Sequence, residues 1–285
     1  MEQEYQNQPF GSFTPQPTTQ EYPSRKLMSV EELISKSWEV YKSRFWSIVG
    51  LMGILLLIRL LFIIIGLIGG FSLGIGISFL LGTGTKTISE TILGGWLGLI
   101  IIFLFLVLLG AFFNTWMTAS LIYLIKEREN KIGIKQSLRK GWSVILSFIW
   151  IGFLVGLCVF GGSLLFIIPG IIFAVWFAFS EYILIDKGIK GSKALSKSKE
   201  LVQGFFGGVL WRLFIIAAIG MLVGFLQESV EEQMAVSIII GLITTFFLTP
   251  FATIYSFLLY ENLKRIKTSL ESSNAETSFS DAPKT

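Results

Sequence analysis

Four polar residues interrupt the long apolar segments of this sequence: Arg59, Asn114, Glu181 and Arg212. A charged group in the hydrocarbon part of a membrane is costly, so it usually has a partner or serves a function. We therefore treat these four side chains as a candidate intramembrane polar site. Such a site is suited to transport or to holding a lipid head group.

The depths of these residues predict how they pair. Glu181 and Arg212 lie roughly 8 and 11 Å from the cytoplasmic ends of their segments at the rise of an α-helix, so an ion pair between them is reasonable. A static pair, or an Arg212 that reaches to the interface, is the alternative to a functional site. Arg59 and Asn114 also lie at compatible depths. We predict that Arg59 faces the bundle interior, within reach of Asn114 or of backbone carbonyls.

Other kinds of chemistry have little support in the composition. The chain has no histidine and one cysteine, Cys158, inside an apolar segment. This excludes a disulfide framework and a metal cluster built on thiolates or imidazoles, and it removes the commonest general base. We predict no catalytic residue, no cofactor and no metal, and therefore no enzymatic activity.

The elements that position these residues are predicted to be membrane spans. Hydrophobic residues make up 53% of the 285 residues, and they are concentrated in runs of about 20, the length needed to cross a hydrocarbon core of ~30 Å. The pattern predicts an all-α integral membrane protein with six transmembrane helices. Their approximate bounds are 45–69, 95–125, 142–166, 170–186, 206–226 and 235–260. Pro250 in the last span predicts a kink.

Lysine and arginine predict the orientation. All but three of the 23 basic residues lie before the first span, in the loops 126–140 and 187–199, or after the last span. The positive-inside rule places both termini and these loops on the cytoplasmic side of the cell membrane. Topology and contact with the membrane surface account for these basic residues, and hence for the net charge of +4. We therefore predict no nucleic-acid partner.

The basic segments also resemble one another. The stretch LISKSWEVYKSRFW (33–46) aligns with SLRKGWSVILSFIW (137–150), and its ISKSWEV portion aligns with LSKSKEL (195–201). Lys36, Lys140 and Lys197 occupy equivalent positions. An apolar stripe backed by basic residues is typical of a helix in the membrane interface. These three lysines are therefore candidate contacts to anionic lipid.

The alignment predicts three parallel helix-plus-hairpin repeats, each with a cytoplasmic amphipathic interfacial helix and two spans. The units cover about 29–125, 133–186 and 191–262 within a membrane domain of 29–263. A chance likeness among basic loops is the alternative. The polar segments 1–28 and 264–285 are predicted to be disordered cytoplasmic tails.

One stretch resembles a known family. The run IPGIIFAVWFAFSEYILIDKGIKGSKALSKSKELVQGFF (168–206) is similar to the membrane domain found beside prokaryotic glycerophosphoryl diester phosphodiesterases and in related stand-alone membrane proteins. The matching residues include Pro169, Gly170, Trp176 and Asp186. The resemblance implies a membrane module. The phosphodiesterase of that family is a separate barrel that works with acidic and histidine residues, so its activity is not implied here.

These observations lead to two functional expectations. The first is a non-catalytic polytopic membrane protein that interacts with lipids or organises a partner. The second is a small transporter or channel with a polar path through Arg59, Glu181 and Arg212. Membrane lipids are the expected partners, with a membrane protein or a second copy of the chain as further possibilities.

Overall fold

The computed structural model describes residues 26–80, 88–230 and 233–280, and every regular element in these ranges is helical. A π-helical turn (Thr244–Leu248) separates the last two helices. The α-helices are α1 (Val30–Ser43), α2 (Phe45–Leu80), α3 (Ile88–Lys126), α4 (Ile134–Leu165), α5 (Ile167–Phe177), α6 (Ser180–Lys187), α7 (Ser192–Val202), α8 (Phe206–Ser229), α9 (Met234–Ile243) and α10 (Thr249–Ser280). The predicted disorder of residues 1–25 and 281–285 lies outside the described residues.

Six helical segments are long and apolar enough to cross a membrane. They are Phe45–Gly66, Phe103–Lys126, Ile134–Leu165, Ile167–Lys187, Phe206–Ser229 and Met234–Ser272. Large apolar side chains on them stay exposed, among them Leu57, Phe105 and Leu164, as expected of surfaces that lipid covers. The described part of the chain is all-helical, and the prediction of six helices long and apolar enough to span a membrane is confirmed.

The second interfacial segment differs from its prediction. Residues 134–165 form a single helix, α4, so the amphipathic part continues directly into the span. By contrast, Gly204 turns the chain between α7 and α8 with φ at 91°, a conformation that glycine adopts easily. No residue of α4 has a positive φ, which is why the chain runs straight there.

The predicted tails are shorter than expected at both ends of the membrane domain. Residues 264–280 are helical because they continue α10. Leu263 and Ile266 are buried and Leu270 packs against the same core, which is helical spacing. At the other end, Leu27 is buried and the Met28 amide donates a hydrogen bond to Asn262 Oδ1 at 3.0 Å. Residues 27–28 and 263–270 therefore contribute to the packed fold, and α10 continues as helix to Ser280.

The buried core lies at one end of the bundle, the end that carries the basic segments. It combines α1 and α7 with the span residues closest to them, such as Ile48, Ile122 and Leu259. Further along the spans, the described apolar side chains are mostly exposed. The large buried side chains of the described residues are thus concentrated at the basic end.

Three contacts at this end follow one pattern. α1 packs on α10, the beginning of α4 packs on α3, and α7 packs on α5 and α6. Each contact includes a hydroxyl that donates to a backbone carbonyl of a return span, which is the preceding one for α4 and α7 and the last one for α1. The donor and acceptor pairs are Tyr41 to Phe246 at 3.0 Å, Ser137 to Ser120, and Ser198 to Trp176 at 2.7 Å.

Pro250 explains the first of these hydrogen bonds. Proline has no N–H, so the carbonyl four residues earlier, that of Phe246, loses its helical partner. The Tyr41 hydroxyl donates to that carbonyl, and the π-helical turn lies immediately before Pro250. The expected disturbance at Pro250 is therefore present, and α1 supplies the missing donor.

Replacing Tyr41 by phenylalanine should lower the free energy of unfolding by about 1–2 kcal/mol. The change removes only the hydroxyl, so the Phe246 carbonyl is left without a donor while the ring packing remains. Thermal unfolding of the purified protein in nanodiscs measures the loss. Tyr123→Phe is the control, because the Tyr123 hydroxyl makes no hydrogen bond to a described residue. Equal melting temperatures for the two variants would contradict the role given to Tyr41.

Candidate functional site

Arg59 and Asn114 join α2 to α3. The Arg59 guanidinium donates to Asn114 Oδ1 at 3.0 Å, which is the pairing that their depths predict. Both side chains are exposed rather than enclosed by the helices, so the expectation that Arg59 faces the bundle interior is wrong. The buried core of the described residues lies at the basic end of the bundle, away from this pair.

Arg212 anchors the chain before α1. Its guanidinium donates to the Met28 carbonyl at 2.5 and 2.8 Å, to the Leu27 carbonyl at 3.3 Å and to the Gly208 carbonyl at 2.8 Å. The carbonyls of a non-helical segment need donors from outside it. Arg212 therefore has no ion pair with Glu181 or with any other described carboxylate, and the predicted Glu181–Arg212 pair is wrong.

Glu181 lies in the first turn of α6, just after an interruption of the fourth span at residues 178–179. Ser198 of α7 stabilises this interruption from outside. Its hydroxyl donates to the Trp176 carbonyl at 2.7 Å and accepts from the Phe179 amide at 3.1 Å. The break thus has two of its backbone groups satisfied, and it sets the direction in which α6 presents Glu181.

A cavity of about 420 Å³ lies beside Glu181, and we call it the Glu181 cavity. α3, α4 and α6 form it, and its lining residues are Asn114, Thr115, Thr118, Phe148, Ile149, Gly152, Phe153 and Glu181. The carboxylate atom Oε1 is 3.5 Å from the point where a Cβ on Gly152 would stand. The Glu181 side chain has no hydrogen bond or ion pair with any described residue.

The α3 side of this cavity is polar. The Thr115 hydroxyl donates to the Ala111 carbonyl at 2.8 Å, and the Thr118 hydroxyl donates to the Asn114 carbonyl at 2.9 Å. Because both protons are used within the helix, these two oxygens are left to act as acceptors. The cavity therefore combines one carboxylate and hydroxyl acceptors with apolar and aromatic walls.

The three lysines expected to contact lipid each have a carboxylate nearby. Lys36 pairs with Glu32 at 2.8 Å, Lys140 with Glu127 at 2.5 Å and Lys197 with Glu200 at 2.5 Å. The hydrogen bond and charge of Glu200 raise the pKa of Lys197 above its ordinary value. A neighbouring carboxylate thus lies against each of the three lysines.

A second cavity, which we call the lysine pocket, opens at the basic end. It has a volume of about 310 Å³ and is lined by Lys187, Lys197, Lys264, Lys267, Glu200, Glu271, Ile183, Leu201, Gln203, Tyr260 and Thr268. Four lysines face two glutamates, so the lining carries an excess of positive charge.

One of these lysines, Lys264, already forms an ion pair within the fold. Asp186 accepts from the Lys264 ammonium at 2.5 Å and from the Tyr260 hydroxyl at 2.8 Å. Lys187 and Lys267 have no carboxylate partner among the described residues, although Lys267 lies 5.9 Å from the ring centre of Phe205. Lys187 and Lys267 are therefore the lining cations that remain available to an anion.

Comparisons of the chain with protein-family models, with curated proteins and with solved structures gave no match. The similarity of residues 168–206 to the membrane domain beside glycerophosphoryl diester phosphodiesterases stays a prediction. The geometry described above is therefore the basis for the functional proposals.

Proposed function

We propose that this chain is a non-catalytic membrane module that binds anionic phospholipid head groups on the cytoplasmic face of the cell membrane. The lysine pocket is the observation that carries this proposal. Lys187 and Lys267 lie on α6 and α10 at the basic end of the bundle, the end that the proposal places at the lipid head groups. Ammonium groups attract anionic lipids by about 1 kcal/mol each near a membrane surface.

The internal repeat supports the proposal through packing. Residues aligned between the three basic segments are buried in every copy: Leu33, Ser137 and Ala194; Ser37, Gly141 and Ser198; Tyr41, Ile145 and Val202. We propose that these segments are three copies of one interfacial unit. In each copy, the buried stripe faces a return span and the lysines face outward. The basic residues are thereby gathered at one membrane surface.

The test neutralises the two available lysines together, as Lys187→Gln with Lys267→Gln. Wild-type protein in mild detergent should bind fluorescent phosphatidylglycerol more tightly than fluorescent phosphatidylcholine. The double variant should lose roughly 10- to 30-fold of this preference, as two lysines at about 1 kcal/mol each imply. Lys264 is left unchanged because it holds Asp186.

The matched control is Lys135→Gln with Lys190→Gln, which removes the same charge from exposed positions outside the pocket. The control should keep most of the preference. If both double variants lose it equally, general surface charge explains the binding and the pocket does not. If the wild-type protein shows no preference, the proposed function fails.

A small transporter or channel is the second candidate, and the Glu181 cavity favours it. Its polar path would include Glu181, Thr118, Asn114 and Arg59. Arg212 would not belong to the path, because the carbonyls before α1 occupy its guanidinium. Flux of a substrate through reconstituted vesicles that is lost in Arg59→Ala, without loss of thermal stability, would support this candidate over the first.

A further inference from the structure

We propose that the Glu181 cavity binds a lipophilic organic monocation, such as a quaternary or protonated amine, with Glu181 as its counter-ion. This site is separate from the lysine pocket and does not depend on lipid binding there. It differs in sign of charge, and α6 is the only helix that contributes lining residues to both. The proposal concerns binding alone.

In its ionised form, Glu181 would be stabilised by a positive partner. An uncompensated charge within a membrane span is costly, and a charge removed from water without a partner destabilises a fold. The two arginines that interrupt the apolar segments are used elsewhere, Arg212 by the carbonyls before α1 and Arg59 by Asn114. Glu181 itself has no partner among the described residues. A cation from outside the described chain would supply the missing charge.

The lining favours an organic cation over an inorganic one. A bare alkaline-earth ion requires about six to eight oxygen ligands, and here the only charged oxygens among the lining residues belong to Glu181. Asn114 Oδ1 already accepts from Arg59. Phe148, Phe153 and Ile149 form much of the remaining wall. Aromatic rings attract cations, and they do so most strongly when water is excluded.

The size and access of the cavity fit such a ligand. Its volume of about 420 Å³ falls within the range of roughly 300–1,000 Å³ that is usual for small-molecule pockets. Gly152 contributes no side chain beside the carboxylate, and a Cβ there would stand 3.5 Å from Oε1. A larger side chain at position 152 would therefore occupy the space in front of Glu181.

The experiment measures binding of radiolabelled phenyltrimethylammonium to the full chain in phosphatidylcholine nanodiscs, with empty nanodiscs as background. Wild-type protein should bind the probe saturably at one site per chain. Glu181→Gln should weaken binding at least about tenfold, since the ionic partner is lost while shape is kept. Glu228→Gln is the matched control, because Glu228 is exposed at the C-terminal end of α8 and does not line the cavity. This variant should bind the probe as the wild type does.

Gly152→Val is the second variant, because it fills the cavity without changing charge. It should also weaken binding, while melting temperatures of all variants report whether the fold is kept. The inference is wrong if Glu181→Gln binds like the wild type, or if wild-type nanodiscs bind no more than empty ones. It is also wrong if millimolar sodium displaces the probe, since the site would then prefer an inorganic ion. Failure of the lysine-pocket test would leave this result unchanged.

Discussion

Replacing Ser198 by alanine is expected to lower the free energy of unfolding by about 2–4 kcal/mol. Ser198 is fully buried, and its one hydroxyl satisfies two backbone groups at the break in the fourth span, the Trp176 carbonyl and the Phe179 amide. Removing it leaves a buried donor and a buried acceptor without partners. Each such group costs about 1–3 kcal/mol.

The control for this variant is Ser196→Ala on the same helix. Ser196 is exposed, so its replacement changes helix propensity in the same way without touching the break. Thermal or denaturant unfolding in nanodiscs should separate the two variants clearly. If Ser198→Ala and Ser196→Ala unfold alike, the break in the fourth span does not depend on the Ser198 hydroxyl.

Gly141→Ala is expected to destabilise the protein by about 1–3 kcal/mol, the usual cost of overpacking a core. A Cβ at position 141 would stand 3.0 Å from the backbone nitrogen of Ser120 and 3.1 Å from its Cα. Backbone atoms in α3 cannot turn away as a side chain can, so α3 and α4 must separate. The separation would also disturb the hydrogen bond from Ser137 to the Ser120 carbonyl.

Gly156→Ala on the same helix provides the comparison. No atom lies within 4 Å of a Cβ built at Gly156, so this variant should gain helix propensity, worth up to about 1 kcal/mol, without a clash. The two variants should therefore shift the melting temperature in opposite directions. A stabilising Gly141→Ala would show that α3 and α4 can move apart at no cost.

The spans are the part of the fold that sequence predicts best, because hydropathy is a property of each segment alone. The main errors in their bounds lie where composition is ambiguous. α2 continues to Leu80 through a glycine-rich stretch that reads as a loop. The beginning of α4 reads as a separate helix because its polar face resembles α1, although nothing in the chain interrupts it.

The partners of individual side chains are harder to predict, since they depend on which helices become neighbours. Depth alone placed Arg59 beside Asn114, because consecutive spans joined by one connection pack together. The same reasoning failed for Arg212 and Glu181. Depth gives no information on the extended segment at residues 27–28, whose carbonyls occupy Arg212.

The lysine pocket was missed because two of its lysines were assigned to a disordered tail. Lys264 and Lys267 lie on α10, where Leu263, Ile266 and Leu270 continue the apolar stripe of the last span. That spacing is visible in the sequence, and it would have extended the helix. Lys197 was recognised as basic, but its place in a pocket follows only from the contact between α7 and α10.

The chain order of these three hydrogen bonds has a consequence for how the protein is made. Ser137 and Ser198 find their acceptors 17 and 22 residues earlier in the chain, so those partners already exist when the donors leave the ribosome. Tyr41 cannot form its hydrogen bond until Phe246, 205 residues later in the chain, has been synthesised. At about 5–20 residues per second this takes roughly 10–40 s. α1, the first helix of the domain to be synthesised, is thus the last to reach its native partner.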